Sequence, residues 1–130
     1  MTEPIFYRCN KCGNLFVVIN DGGCVPQCCG QPMEKLVADS TDAAVEKHVP
    51  VVKKDEDGKH IIATVGAVEH PMTKEHYIMW IALATDDNIV VKHLHPGDKP
   101  QAKFSACCAK GGTVYAYCNL HGLWKSEAEI

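Results

Sequence analysis

The sequence lacks any apolar run of about eighteen residues, the length that a membrane-spanning helix needs. Residues 1–8 also lack the uninterrupted apolar stretch of a secretory signal. There is no excess of basic residues either: the net charge is -3, so no global positive field favours nucleic acid or an anionic membrane. We therefore expect a soluble cytosolic protein with neither of these partners.

Long amphipathic helices, internal repeats and low-complexity tracts are also absent from the sequence. Its 130 residues suffice for one ordinary domain or two small ones. A content of 46% hydrophobic and 22% charged residues is typical of globular proteins and excludes the disordered and fibrous classes.

Cysteine and histidine, by contrast, are abundant, with eight and seven residues. In the expected cytosolic setting, thiol buffers keep cysteine pairs reduced, so a disulfide framework is disfavoured. Metal binding is then the leading explanation. Imidazole and thiolate together suit zinc, copper or iron far better than magnesium or calcium.

The distribution of these residues divides the chain into two parts. Five cysteines lie in residues 1–36, whereas no histidine occurs before His48. Residues 1–36 also contain the apolar run 15–19 between polar turns, which predicts a hairpin too small to hold itself together without a metal. Residues 37–47 resemble a linker into the second domain, which we place at residues 37–130.

The second domain shows the pattern of short strands separated by turns. Apolar segments at 49–52 and 60–65 flank a turn at 55–58, and 77–84 and 88–94 flank another at 85–87. The segment 77–84 is apolar on both faces, as expected for the centre of a sandwich. The sequence therefore predicts an all-β protein whose second domain is an immunoglobulin-like antiparallel β-sandwich.

A four-sulfur site is predicted in the first domain. Cys9 and Cys12 form a CxxC turn, and the adjacent pair Cys28 and Cys29 follows. Four thiolates indicate a tetrahedral zinc or iron ion; zinc would only stabilise the domain, whereas iron would add electron transfer. Cys24 is a spare thiol, because four better-placed sulfurs already complete a tetrahedron.

A second set of ligand candidates is spread through residues 37–130. Cys118 and His121 lie three residues apart, close enough for one loop to offer both to one metal. Further candidates are His48, His70 and His76. A lone histidine is more often a solvated residue than a ligand, so it is their coexistence that indicates a site.

The whole chain resembles the desulfoferrodoxins, which are two-iron superoxide reductases. The CxxC with adjacent cysteines resembles the family's desulforedoxin-type first domain. The blocks around the family's catalytic iron are matched by Glu-Lys-His-Val-Pro (46–50), His-Pro-Met (70–72), Glu-His-Tyr-Ile (75–78) and Tyr-Cys-Asn-Leu-His-Gly (117–122).

This resemblance implies two iron ions per chain, one held by Cys9, Cys12, Cys28 and Cys29. The other would be held in a plane by His48, His70, His76 and His121, with the Cys118 sulfur on the axis and the opposite position open. It further implies a homodimer, a rubredoxin-like electron donor and one-electron reduction of superoxide to hydrogen peroxide. Lys47 matches the family's steering lysine, and Glu46 matches the carboxylate that closes the open position between turnovers.

Two rival functions remain at this point. One is a non-enzymatic electron carrier or zinc-stapled binding module, in which only the four-sulfur site functions; the other is a superoxide dismutase, which needs no outside donor. We expect Tyr117 and Trp124 to shield the iron. The remaining candidates are interpreted as solvated or incidental side chains: His60, the pair His93 and His95 on one face of a strand, and the adjacent Cys107 and Cys108.

Overall fold

A computed structural model of the chain describes residues 3–106 and 111–128. The chain forms two compact units, which divide between Val37 and Ala38. Nearly all regular structure in the described residues is β-strand, which confirms the predicted all-β class. Within these same ranges no helix has the length and apolarity needed to cross a membrane.

The first unit is built from very short strands around a small core. A three-stranded antiparallel sheet has the order β2-β1-β5, and β3 pairs with β4 as a separate hairpin. Its buried centre contains Tyr7, Cys9 and Met33, and Phe6 is also buried. So few buried side chains leave the unit dependent on further crosslinks such as a metal. The strands are β1 (Phe6–Arg8), β2 (Leu15–Val17), β3 (Gln27–Cys28), β4 (Gln31–Pro32) and β5 (Glu34–Lys35).

The second unit is an antiparallel β-sandwich, as the sequence predicts. One sheet has the order β10-β7-β6 and the other the order β12-β11-β8-β9. A single hydrophobic cluster with members from both sheets fills the space between them. The elements are α1 (Val45–His48), β6 (Pro50–Lys54), β7 (His60–Val65), β8 (Ile78–Ala84), β9 (Ile89–His93), β10 (Gln101–Ser105), β11 (Gly112–Cys118) and β12 (Gly122–Ala128).

The alternation of side chains along the strands decides which of them face this core. On β7, Ile61, Ala63 and Val65 are fully buried, while the residues between them are partly exposed. The central strands β8 and β11 are buried on both faces. Trp80 stacks on Tyr117, its partner on β11, with ring centroids 5.7 Å apart.

One irregularity in the sandwich lies beside the candidate site. The pairing of β8 with β11 shifts between Tyr117 and Cys118, so that Cys118 pairs with Ile78 and Met79 is passed over. A β-bulge of this kind bends its strand and redirects the chain that enters it. The chain entering β8 here carries His76.

Candidate metal centres

Four cysteine side chains converge in the first unit. Cys9 and Cys12 lie in the turn after β1, and Cys28 and Cys29 lie at the end of β3 and in the turn that follows. The four sulfurs lie within 4.8 Å of one another. The Cys12 and Cys28 sulfurs are 3.5 Å apart, and the Cys28 and Cys29 sulfurs 3.9 Å apart. Ligands on a tetrahedron with metal–sulfur bonds of about 2.3 Å would be about 3.8 Å apart, so the cluster fits a tetrahedral ion.

The backbone explains how two adjacent cysteines reach the same point. Consecutive residues of an extended strand point to opposite faces. Cys29, however, has a φ of 54°, in the left-handed region that non-glycine residues rarely adopt. This conformation turns the chain directly after Cys28, and both sulfurs face the cluster.

The thiols of Cys9 and Cys29 differ in how readily they ionise. The backbone N–H of Cys12 donates to the Cys9 sulfur and is the main reason why the pKa of Cys9 is lowered to about 6. The pKa of Cys29 is raised to about 12, chiefly by its hydrogen bonds to Cys12 and Cys9. A cation at the centre would favour the thiolate form of each cysteine, because metals bind thiolates rather than thiols. Cys24 is exposed and lies outside the cluster.

Four imidazole rings form a square in the second unit. Going round the square, the ring centroids are 4.7 Å apart from His48 to His70 and 4.6 Å from His70 to His76. The ring centroid of His121 lies 5.0 Å from that of His76 and 4.9 Å from that of His48. His48 and His76 lie across the diagonal at 6.4 Å. The rings therefore surround a common centre in the arrangement expected of four equatorial ligands.

The ring nitrogens that face this centre have the spacing of metal ligands. Nε2 of His48 lies 3.2 Å from Nε2 of His70 and 3.1 Å from Nδ1 of His121. Two nitrogens at right angles, each about 2.1 Å from a metal, would be about 3.0 Å apart. Nε2 of His76 is buried and has no hydrogen-bond partner in the described residues. A bound cation would satisfy this orphaned atom.

Backbone carbonyls set the tautomer of two of these rings. Nδ1 of His48 lies 2.7 Å from the Ala44 carbonyl oxygen, and Nδ1 of His70 lies 2.7 Å from that of Pro71. Because the proton sits on the nitrogen facing the carbonyl, each Nε2 keeps its lone pair for the centre. Burial lowers the pKa of His70 to about 4 and is also the main reason why the pKa values of His48 and His76 are lowered. The rings of His48, His70 and His76 are therefore neutral near pH 7, as metal ligands must be.

Cys118 completes the donor set from the core side of β11. Its side chain is fully buried, and its sulfur lies 3.8 Å from Nδ1 of His121. Burial raises the pKa of this thiol, while backbone N–H groups of Leu120 and His121 oppose the rise. Four imidazoles and one thiolate exceed the four ligands of structural zinc and suit a redox-active ion such as iron.

Glu46 and Lys47 lie on α1 directly before His48, and both are exposed. The positive charge of Lys47 adds to the lowering of the pKa of His48 and of His76. His76 belongs to a distant part of the sequence, so this effect places the ammonium group within electrostatic range of the ring square.

Trp124 lies against the ring square. The indole ring of Trp124 stacks on His48 with centroids 4.9 Å apart, and its Nε1–H donates to the His121 carbonyl oxygen. Tyr117 stacks on Trp80. Trp124 therefore packs on one ring of the square, and the prediction that Tyr117 also shields the site stays a prediction.

The remaining histidine candidates, His60, His93 and His95, fall outside both sites. His60 pairs with Asp57 at 2.7 Å on the surface. The prediction that His93 and His95 share one face of a strand is wrong, because β9 ends at His93 and His95 follows it in a turn beside Asp98. The predictions for Cys107 and Cys108 lie outside the described residues.

Together the fold and the sites define a class: an all-β protein of two compact units, one with a four-thiol site and the other a sandwich with a four-histidine, one-cysteine site. Similarity to known proteins identifies the family. The family model "Desulfoferrodoxin" matches residues 40–127, and "Desulfoferrodoxin, N-terminal domain" matches residues 3–36. The chain belongs to the desulfoferrodoxin family, and its two donor sets fit two iron ions.

Individual relatives agree with this assignment. A desulfoferrodoxin homolog of Methanothermobacter thermautotrophicus is 50% identical, with 95% of this chain and 97% of the relative covered. A superoxide reductase of Pyrococcus horikoshii is 35% identical over 75% of this chain and 99% of its own length. The crystal structure of the superoxide reductase from Treponema pallidum superposes with a TM-score of 0.78 at 32% identity, covering 96% of this chain and 99% of the other.

Proposed function

We propose that the chain is a superoxide reductase, an oxidoreductase that converts superoxide, one electron and two protons into hydrogen peroxide. The observation that carries this proposal is the square of imidazoles with the buried Cys118 sulfur. A bound ferrous ion would supply the electron at this site. The relatives named as superoxide reductases support the same activity.

The side chains of this site have distinct parts in the proposed reaction. His48, His70, His76 and His121 would hold the ion, and Cys118 would add negative charge that favours its oxidation. Lys47 attracts the superoxide anion, and its ammonium orients water for protonation. Glu46, on the same short helix, would close the site between turnovers.

The two units have separate tasks in this proposal. Residues 1–36 form a desulforedoxin-like domain that holds an iron through Cys9, Cys12, Cys28 and Cys29. Residues 37–130 form the catalytic domain. The small buried centre of the first unit supports a stabilising role for its metal, because the centre itself offers little apolar burial.

We further propose the cellular setting of the enzyme. A reductase consumes an electron in every turnover, so it requires an outside donor, which we propose is a rubredoxin-like protein. Detoxification of superoxide follows from the reaction. Two thiol-dependent sites suit a compartment that keeps thiols reduced, which supports the cytoplasm. We propose a homodimer on the basis of the family resemblance.

Metal analysis and a superoxide assay on the purified protein test the function. We expect two irons per chain, two distinct visible chromophores and superoxide consumption only while a reductant is supplied. A colourless protein containing only zinc would instead support the binding module, and iron in the four-sulfur site alone would support the electron carrier. Continued turnover with oxygen evolution in the absence of reductant would establish a dismutase.

Replacement of Lys47 by Ala tests its steering role. Because one positive charge beside the site is lost, we expect the second-order reaction with superoxide to slow about tenfold and to depend less on ionic strength. Pulse radiolysis at several salt concentrations measures both effects.

Lys59→Ala is the matched control for this experiment. It makes the same change of charge in the exposed turn that joins β6 to β7. This turn lies at the opposite end of the hairpin from the end that follows His48 and Val49. Unchanged kinetics for Lys47→Ala, or equal slowing of both variants, would contradict local steering.

A further inference from the structure

Asn119 lies between the ligands Cys118 and His121 and reaches across to the loop that carries a third ligand, His76. Its Oδ1 accepts a hydrogen bond from the Tyr77 backbone N–H at 3.0 Å. Its Nδ2 donates to the Glu75 carbonyl oxygen, also at 3.0 Å. The two bonds of one side chain thus hold the residues immediately before and after His76.

The backbone of Asn119 strengthens the same connection. Its N–H donates to the Tyr77 carbonyl oxygen at 3.2 Å. Tyr77 is thereby bound through both its N–H and its carbonyl group, directly before β8 begins at Ile78. Three hydrogen bonds from one residue consequently join the turn after β11 to the chain that enters β8.

His76 differs from two of the other ligands in how its ring is held. His48 and His70 direct Nδ1 at carbonyl oxygens, which fixes their rings individually. Among the described residues, the ring of His76 makes no such contact. The hydrogen bonds of His76 are made by its backbone, to Thr73. The position of its ring therefore depends on the placement of the loop backbone.

We propose that Asn119 is a positioning residue that fixes His76 relative to Cys118 and His121. This inference rests on the proposed iron site and assigns that site a supporting group outside its ligands. Groups that orient metal ligands typically contribute about 10- to 100-fold to metal affinity. Both ends of the amide are required, because one end accepts from Tyr77 and the other donates to Glu75.

Two substitutions separate the contributions of the two ends. Asn119→Ala removes both bonds, whereas Asn119→Asp keeps an acceptor for the Tyr77 N–H but places a second oxygen opposite the Glu75 carbonyl oxygen. Asn88→Ala is the control, because Asn88 is an exposed residue in the turn between β8 and β9.

The experiment measures loss of ferrous ion to a chelator from the full-length protein, together with the visible spectrum and reduction potential of the histidine site. We expect Asn119→Ala to lose iron from this site about 10- to 100-fold faster, with an altered ferric band. Asn119→Asp, which loses the bond to Glu75, should also release this iron faster than wild type. The four-sulfur iron and the Asn88→Ala variant should be unaffected.

Two results would overturn the proposal. One is an Asn119→Ala protein with wild-type iron release, spectrum and potential. The other is an equal loss of thermal stability in the metal-free and metal-bound states without a change in spectrum or potential, since that pattern indicates support of the fold alone. A wild-type protein that binds no iron at the histidine site would instead contradict the proposed function, so the two failures are distinguishable.

Discussion

Replacing Cys118 by Ser is expected to slow superoxide reduction severely while leaving the four-sulfur site intact. The hydroxyl is similar in size but does not ionise near neutral pH, so the single anionic ligand of the histidine site is lost. Loss of a group that only orients a metal ligand typically lowers metal affinity or activity about 10- to 100-fold. Loss of the Cys118 ligand itself should therefore lower the rate of superoxide reduction by about 100-fold or more. Stopped-flow assays and iron analysis measure the rate and the remaining metal.

Two further cysteine variants serve as controls for this experiment. Cys24→Ser makes the same atomic change at an exposed thiol outside both sites and should behave as wild type. Cys9→Ser, at a buried ligand of the other cluster, should remove the four-sulfur chromophore instead. Retention of the thiolate band in Cys118→Ser would show that another sulfur is the ligand and would contradict the assignment.

The architecture of the sandwich could be predicted because its signals are local. Alternation along residues 60–65 and the apolar segment 77–84 both correspond to observed strands, β7 and β8. The turn clusters at 55–58 and 85–87 specify where the chain reverses before β7 and after β8. Such patterns depend on neighbouring residues only, and the sequence displays them directly.

The details of the histidine site could be predicted only in part. The resemblance brings together the same five donors that the structure collects, but nothing in the sequence specifies that His121 presents Nδ1 while His48 and His70 present Nε2. For His48 and His70 that choice depends on the carbonyl oxygen that each ring meets. The stacking of Trp124 on His48 also arises from tertiary packing, which no local pattern encodes.

The supporting residues carry the weakest sequence signals of all. Asn119 resembles any other turn asparagine until its contacts with Glu75 and Tyr77 are seen. The wrong prediction that His95 lies on the same strand as His93 has a similar origin, because only the pairing of β9 with β8 shows that the strand ends at His93. Interactions between distant segments therefore account for what the sequence leaves undetermined.

Gly66 is the second position where a single substitution should have a large effect. A Cβ atom at this residue would lie 2.6 Å from the Glu46 carbonyl oxygen and 3.1 Å from that of Val49. Both oxygens belong to the backbone around α1 and cannot turn away as a side chain could. The Glu46 carbonyl oxygen also accepts a hydrogen bond from the Val68 N–H, so the helix and this loop are closely joined.

Gly66→Ala should therefore displace the segment that carries Lys47 and His48. We expect a loss of about 1–3 kcal/mol in the free energy of unfolding, the usual cost of overpacking. We also expect weaker iron binding at the histidine site, because the ring of His48 moves with the helix. Urea unfolding of the metal-free protein and iron release to a chelator measure the two effects separately.

Gly112→Ala distinguishes displacement of the site from general destabilisation. Its Cβ would lie 2.7 Å from the Ala84 carbonyl oxygen, a backbone clash of similar severity at the start of β11, whose other end carries Cys118. Both variants should lose comparable stability, but only Gly66→Ala should release iron faster and change the ferric spectrum. Equal iron release by both would mean that the site responds to the stability of the sandwich as a whole, and the tight approach of Gly66 to α1 would then have no separate part in placing His48.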